Sequence, residues 1–431
     1  MIKINSKKHT RTSLRIFAGL SSFQMLAMFR RGLFYTYLSI YMREFLNMSV
    51  IETTLYATLP MIASVICQNF VWGPLSDKLQ KRRRLIILGE IIAGTGTFTI
   101  WFIHFSFSSL YIAGYVIIIG LTCIEIFWSA SNIGWSALIS DIYPSEKRSK
   151  VMGQLQSLGG GGRIIGIFIG GLLYESGFGF RNGPLFFVAS FVMLISTIPM
   201  LLVPEGGIDL ETQKMDFLSD TDRNNQKSIL IFIIFIVALI FINFGRNSIA
   251  VPYSQYLSLD SGFNVDSLLL SFIANTRSVA VMMIGFMAGL LSKKLGHSRA
   301  LIFGTSIGII ALIITATTIH LPLIFVGGFL IGAAEVIIYA SSYAIASILI
   351  PTRIRAKLFA VYNTTFFLSW GTAGTFIAGP LIDFLINNGI SEVFAYQMAF
   401  LTGALLCLIG LLIFTFLEWW LKIQKRKNQE K

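Results

Sequence analysis

Gly73-Pro74-Leu75-Ser76-Asp77-Lys78-Leu79-Gln80-Lys81-Arg82-Arg83-Arg84 is a short polar and basic stretch between two long apolar runs. A second version, Gly289-Leu290-Leu291-Ser292-Lys293-Lys294-Leu295-Gly296-His297-Ser298-Arg299, follows 216 residues later with its glycine, leucine, serine and basic residues in the same order. The flanks of both copies are of one kind. The chain of 431 residues is 55% hydrophobic and only 13% charged, roughly half the charged share of an average soluble domain. Its mean hydropathy is +0.73. Apolar runs near the ~20 residues that cross a bilayer as helix recur from end to end. They are continuously apolar, without the period-two alternation of barrel strands. An all-α integral membrane protein is expected.

Twelve such runs are expected. Six lie in residues 1–203, which form a first bundle, and six in residues 229–421, which form a second. Residues 204–228 are an acid-rich polar link and 422–431 a basic tail. The halves repeat: Arg31 matches Arg246, Tyr41 matches Tyr256, Gly73 matches Gly289 and His104 matches His320. Of the 34 Lys and Arg, the head, the tail and alternate loops carry 27, five arginines lie inside the runs, and the loops on the other side hold only Arg43 and Arg181. The positive-inside rule then puts both termini in the cytoplasm of a cell-membrane protein. It also explains the net charge of +13 by topology, with no nucleic-acid partner. Cys67, Cys123 and Cys407 lie in apolar runs outside any metal-ligand spacing and are expected to be small core residues. No metal or cofactor is expected.

Several charges fall inside the runs, where each costs at least ~2.5–3.5 kcal/mol. Arg30 and Arg31 are in the first run, Glu125 in the fourth, Arg163 in the fifth, Arg246 in the seventh, Arg277 in the eighth and Glu335 in the tenth. Helical spacings of three, four and seven align several with polar and aromatic residues: Arg30 with Tyr37; Glu125 with Trp128 and Asn132; Asn243 with Arg246; Glu335 with Tyr339. Such walls suit an organic solute with an apolar body and a polar group. Structural Arg–Glu pairing is the competing reading. Glu90, one to two turns into the third run, is expected to pair with the basic residues of 81–84 near the surface. His104 and His320 are expected to be surface residues at run ends.

The stretch at residues 73–84 resembles the loop between helices 2 and 3 of major facilitator superfamily transporters, roughly G-x-L-[SA]-D-[RK]-x-G-[RK]-[RK]. The first copy departs only at Gln80, where the family usually has glycine, and the second has Lys293 in place of the acid. The resemblance implies two pseudo-symmetric six-helix bundles rocking about a midplane site lined by helices 1, 4, 7 and 10, in a protein that works as a monomer. It implies a conformational gate at Gly73, Asp77, Lys78, Arg82 and Gly289, with Gly73 allowing close helix contact and Asp77 holding the cytoplasmic side closed. The glycines of the fifth run, 159–162, 166, 170 and 171, resemble those of the superfamily's exporters but lack the usual proline. Close packing serves equally well to explain them.

The expected function is alternating-access transport of a small organic solute, with a slight preference for an anionic group. No phosphate-cradling glycine loop points to ATP. Glu125 and Glu335 are candidates for proton coupling, since burial raises a carboxylate's pKa in general. A proton-driven exporter of amphipathic drugs is the alternative, and a non-transporting sensor of the same fold the second. No nucleophile–base arrangement supports an enzyme.

Overall fold

The computed structural model describes residues 2–143, 145–206, 223–350 and 355–429. Among them there is no β-strand. Helices α1 (Ile2–Ile40), α2 (Val50–Cys67), α3 (Gly73–Leu79), α4 (Arg82–Ser106), α5 (Leu110–Ile142), α6 (Ser145–Tyr174), α7 (Phe178–Arg181) and α8 (Pro184–Met200) come first. Then follow α9 (Arg223–Asn247), α10 (Pro252–Ser258), α11 (Ser267–Leu295), α12 (His297–Thr317), α13 (Leu321–Leu349), α14 (Arg355–Ala373), α15 (Gly379–Asn387) and α16 (Glu392–Gln429). Among the described residues ten helical spans are long and apolar enough to cross a membrane, against the twelve expected. The helices α1 and α8 occupy the positions of the first and sixth runs. Most of the polar link, residues 207–222, lies outside the described residues.

The breaks follow from local chemistry. Pro74 and Pro380 have no N–H to give to the preceding turn. Each follows a glycine, and each pair is preceded by a five-residue π segment, Gln68–Trp72 or Gly374–Ala378. Widening the turn absorbs the lost bond. A Cβ on Gly73 would lie 2.7 Å from the Gln68 carbonyl oxygen. The close approach at Gly73 is therefore to its own preceding turn, and not to another helix as expected. Gln80 ends α3 with φ 51°, the left-handed conformation that disfavours side chains with a Cβ. Gly296 holds the matching place in the second copy with φ 85°.

The chain divides into two compact units. Unit 1 is Met1–Met48, Leu59–Thr212 and Asp266–Ser278; unit 2 is Ser49–Thr58, Gln213–Val265 and Val279–Lys431. In unit 1 a core of Leu20, Phe23, Ile86, Leu138, Leu155 and Met200 joins α1, α4, α5, α6 and α8. Here α6 lies directly against α1: a Cβ on Gly162 would meet the Met25 carbonyl oxygen, and one on Gly166 that of Phe29. These glycines are contact points between backbones, as the packing explanation of the fifth run holds. In unit 2 the core is built on Phe232, Phe235, Leu239, Leu301, Ile338 and Phe414. Of the cysteines only Cys407 is buried, and Cys123 is exposed on α5. The expectation of three core cysteines fails there, because a thiol is apolar enough to face lipid.

His104 is also not a surface residue. It is fully buried, with Nε2 2.8 Å from the Tyr41 hydroxyl, while Arg181 donates to its carbonyl oxygen at 3.0 Å. His320 is exposed, as expected.

Candidate functional site

In unit 1 the charges of α1 meet the aromatic stripe of α5. The guanidinium carbon of Arg30 lies 4.2 Å from the centre of the Trp128 ring, and that of Arg31 lies 5.4 Å away. A cation over an indole face is an attractive arrangement whose strength grows as water is excluded. Arg30 is only 6% exposed, and its Nη2 is buried with no hydrogen-bond partner among the described residues. Arg31, next in sequence, is exposed.

Behind Trp128 stands Glu90 of α4. It is 3% exposed. The indole Nε1 donates to its Oε1 at 2.7 Å, and the Ser131 hydroxyl donates to the same oxygen at 2.8 Å. Glu90 therefore makes no local pair with the basic loop. Arg83 and Arg84 bridge instead to Glu205, at 3.3 and 3.7 Å. On α5, Asn132 donates to Oε1 of Glu125 at 3.5 Å, and Glu125 is 7% exposed. Arg163 and Arg277, also in unit 1, are half-buried.

Tyr37 is placed elsewhere. It is fully buried, donates to the Ile167 carbonyl oxygen at 2.8 Å and stacks on Tyr174. It joins an aromatic core with Phe34, Tyr41, Phe180 and Phe186. A helical stripe of aromatics looks the same in sequence whether it lines a cavity or a core, and here the face carrying Tyr37 and Tyr41 belongs to the core.

In unit 2, Arg246 donates through Nε to Oδ1 of Asn243 at 3.0 Å, and Asn243 donates to the Thr365 hydroxyl at 3.2 Å. Asn243 is buried and orients the arginine. The Arg246 guanidinium carbon lies 5.6 Å from the ring centre of Phe366. The same ring meets Tyr339 edge-on at 5.4 Å, and Tyr339 is 52% exposed. Glu335 is half-buried on α13. The contribution of α14, through Tyr362, Thr365 and Phe366, was not expected. Its signal was present as Tyr362 and Phe366 four apart on one helical face.

At the expected gate, Arg82 donates through Nη1 to the Ser76 hydroxyl at 2.5 Å and pairs through Nε with Asp141 at 3.3 Å. Lys78 is exposed. The side chains of Asp77 and Lys293, and the surroundings of Gly289, lie outside the described residues. Among the described residues no group of His, Cys, Asp and Glu could hold a metal.

Ten apolar helical spans, with no strand among the described residues, define a polytopic membrane protein. The chain belongs to the Major Facilitator Superfamily, whose model matches residues 20–374 and 233–431. The multidrug resistance protein MdtG of Escherichia coli is 25% identical over 296 residues, 68% of this chain and 67% of that protein. The MdtG of Rahnella is 25% identical over 283 residues, 64% of each chain. Among solved structures, a variant of the nucleoside transporter NupG superposes with a TM-score of 0.73 at 14% identity, covering 93% of this chain and 99% of that one. A POT family transporter in complex with a thioalcohol-conjugated peptide gives 0.67 at 13% identity, covering 93% and 96%. These proteins are transporters and not enzymes, and the likeness to the solved structures shows the fold.

Proposed function

We propose that the protein is a secondary active transporter that moves a small organic solute bearing an anionic group. The observation that carries this reading is the buried Nη2 of Arg30, held over the Trp128 face, a charged nitrogen with no hydrogen-bond partner among the described residues. A buried donor left unsatisfied costs ~1–3 kcal/mol, more when charged. A carboxylate or phosphate oxygen on the solute would remove that cost. Within unit 1, Arg30, Arg31, Arg163 and Arg277 outnumber Glu90 and Glu125, which favours an anion further. Glu125 is the coupling carboxylate in this reading and Glu335 the second candidate, with a proton as the coupled ion. The placement of Lys and Arg supports cytoplasmic termini. The full set is twelve spans in a monomer of the cell membrane.

A second reading has its own support. The MdtG proteins are named for multidrug resistance, and Tyr339, 52% exposed, offers aromatic surface suited to export of amphipathic cations. The deciding experiment is thermal stabilisation of the purified protein by matched organic anions, zwitterions and cations, because a ligand of the native state raises its apparent stability. Stabilisation by anions that Arg30→Ala removes supports the first reading. Stabilisation by hydrophobic cations alone, unchanged in Arg30→Ala, replaces it with the second.

A further inference from the structure

A carboxylate buried as deeply as Glu90 needs a reason. Removing such a group from water costs several kcal/mol unless well-placed donors and an opposite charge compensate. Packing alone would be served better by leucine. The two donors that Glu90 satisfies are both on α5, the helix that carries the Arg30 platform, and both bonds converge on one oxygen. The backbones are close enough for this because Gly89, the preceding residue, has no side chain: a Cβ there would lie 3.0 Å from the Ser131 backbone nitrogen. Trp128 is thus gripped at its Nε1 edge by Glu90, while its face is covered by Arg30 and Arg31. An indole has two soft side-chain torsions, and a single bond at the ring edge removes the freedom that face contacts leave.

We propose that Glu90 is a positioning residue for solute binding: through its bond to the Trp128 indole it fixes the plane on which Arg30 rests, and so aims the unpartnered Arg30 Nη2. The assignment rests on the Arg30 site being the solute site. Glu90 acts through Trp128 and not by touching the solute. Its requirement is an acceptor oxygen at the right place, so glutamine, which presents the same Oε1, fulfils it. This separates Glu90 from Glu125, whose proposed role needs a titratable proton.

The test uses the purified full-length protein, with benzoate as the anionic probe and benzamide as its neutral control. Glu90→Gln, Glu90→Leu and Trp128→Phe are compared, together with the two Glu90 changes made in the Trp128→Phe background. The first readout is the fluorescence of Trp128, taken as the difference between each protein and its Trp128→Phe counterpart. The second is the benzoate concentration that gives half-maximal thermal stabilisation. Glu90→Gln is expected to keep the emission and to change the half-maximal concentration by less than about threefold. Glu90→Leu is expected to shift the emission and raise that concentration about tenfold or more, a factor worth about 1.4 kcal/mol. In the Trp128→Phe background, which has no indole N–H, Glu90→Leu should add little to the loss. If Glu90→Leu leaves emission and benzoate response as in the wild type, the proposal is overturned. It is also overturned if Glu90→Gln is as damaging as Glu90→Leu, since charge and not acceptor geometry would then be the requirement. Should Glu90→Leu not fold, Glu90→Met, which also lacks an acceptor oxygen but keeps the side-chain length, takes its place under the same criteria. Absence of any benzoate effect on the wild-type protein would count against the anionic-solute reading, while the fluorescence comparison would still judge the positioning role.

Discussion

Asp383 caps helix α2 at Val50. One carboxylate oxygen accepts the Val50 backbone N–H at 2.9 Å, and the other accepts that of Ile51 at 2.7 Å. The first N–H groups of a helix have no intrahelical acceptor, and here a residue 333 positions away supplies one for two of them. Hydrogen bonds of Thr54 and Thr58 to the Thr375 hydroxyl, at 2.7 and 2.6 Å, extend the same contact one and two turns into α2. Loss of a cap of this kind costs ~0.5–2 kcal/mol. Asp383→Ala is therefore expected to lower the thermal midpoint of the purified protein by about 2 °C or more, and Asp383→Asn, which keeps one carboxamide oxygen, by less. Equal midpoints for all three proteins would remove the cap from the stability account.

Gln80 offers a change of opposite sign. Its φ of 51° places a residue with a side chain in the left-handed region, where a Cβ costs ~1–2 kcal/mol. Glycine relieves that cost but gains freedom in the unfolded chain, worth about 0.4–1 kcal/mol. Gln80→Gly should stabilise the protein by about 0.5–1 kcal/mol net. At the matching position Gly296 has φ 85° and ψ 140°, a region open essentially to glycine alone, so Gly296→Gln should destabilise the protein by about 1–3 kcal/mol, with thermal unfolding as the measurement for both.

Helix α6 allows the glycines to be sorted by what they touch. A Cβ at Gly166 would overlap the Phe29 carbonyl oxygen, whereas one at Gly161 would meet nothing within 4 Å. Gly166→Ala must push α1 and α6 apart, and overpacking of this type costs typically ~1–3 kcal/mol. Gly161→Ala gains the helix propensity that glycine lacks, up to ~1 kcal/mol. Folded yield after detergent extraction should fall for the first and hold or rise for the second.

The fold was readable because bilayer spans leave a strong signal: long apolar runs, a duplicated basic turn and an uneven distribution of Lys and Arg. The site was readable only in part. Arg30 and Trp128 could be named because charge in an apolar run is costly and therefore noticed, and the structure brings them together. Glu90 was misjudged as a surface pair, although a physical test was available. It lies eight residues beyond Arg82, about 12 Å along a helix at 1.5 Å per residue. A glutamate side chain is too short to snorkel that distance, unlike lysine or arginine. Tyr37 could not be separated from the cavity by spacing, since its partners Ile167 and Tyr174 are set by tertiary packing. The roles of Tyr362 and Phe366 were missed because α14 has its charges, Arg355 and Lys357, only in its first turn, and none near those rings to draw notice.

Proton coupling through Glu125 gives the last prediction. Glu125 is buried, with Asn132 at 3.5 Å as a neutral neighbour and Arg31 nearby as a charged one. A carboxyl that must gain and lose a proton in each cycle makes transport depend on pH, and its amide replacement cannot titrate. Transport by the wild-type protein in liposomes should therefore respond to an imposed pH difference, and Glu125→Gln should abolish that response. Exchange of solute across the membrane without net flux requires only that the loaded protein reorient, so it should survive in Glu125→Gln within roughly tenfold of wild type. The carboxylate of Glu335 lies in unit 2 and serves as the comparison. If Glu335→Gln loses the pH response and Glu125→Gln retains it, the coupling role moves to the second half of the chain. If neither variant alters it, the coupled ion is not carried by these carboxylates.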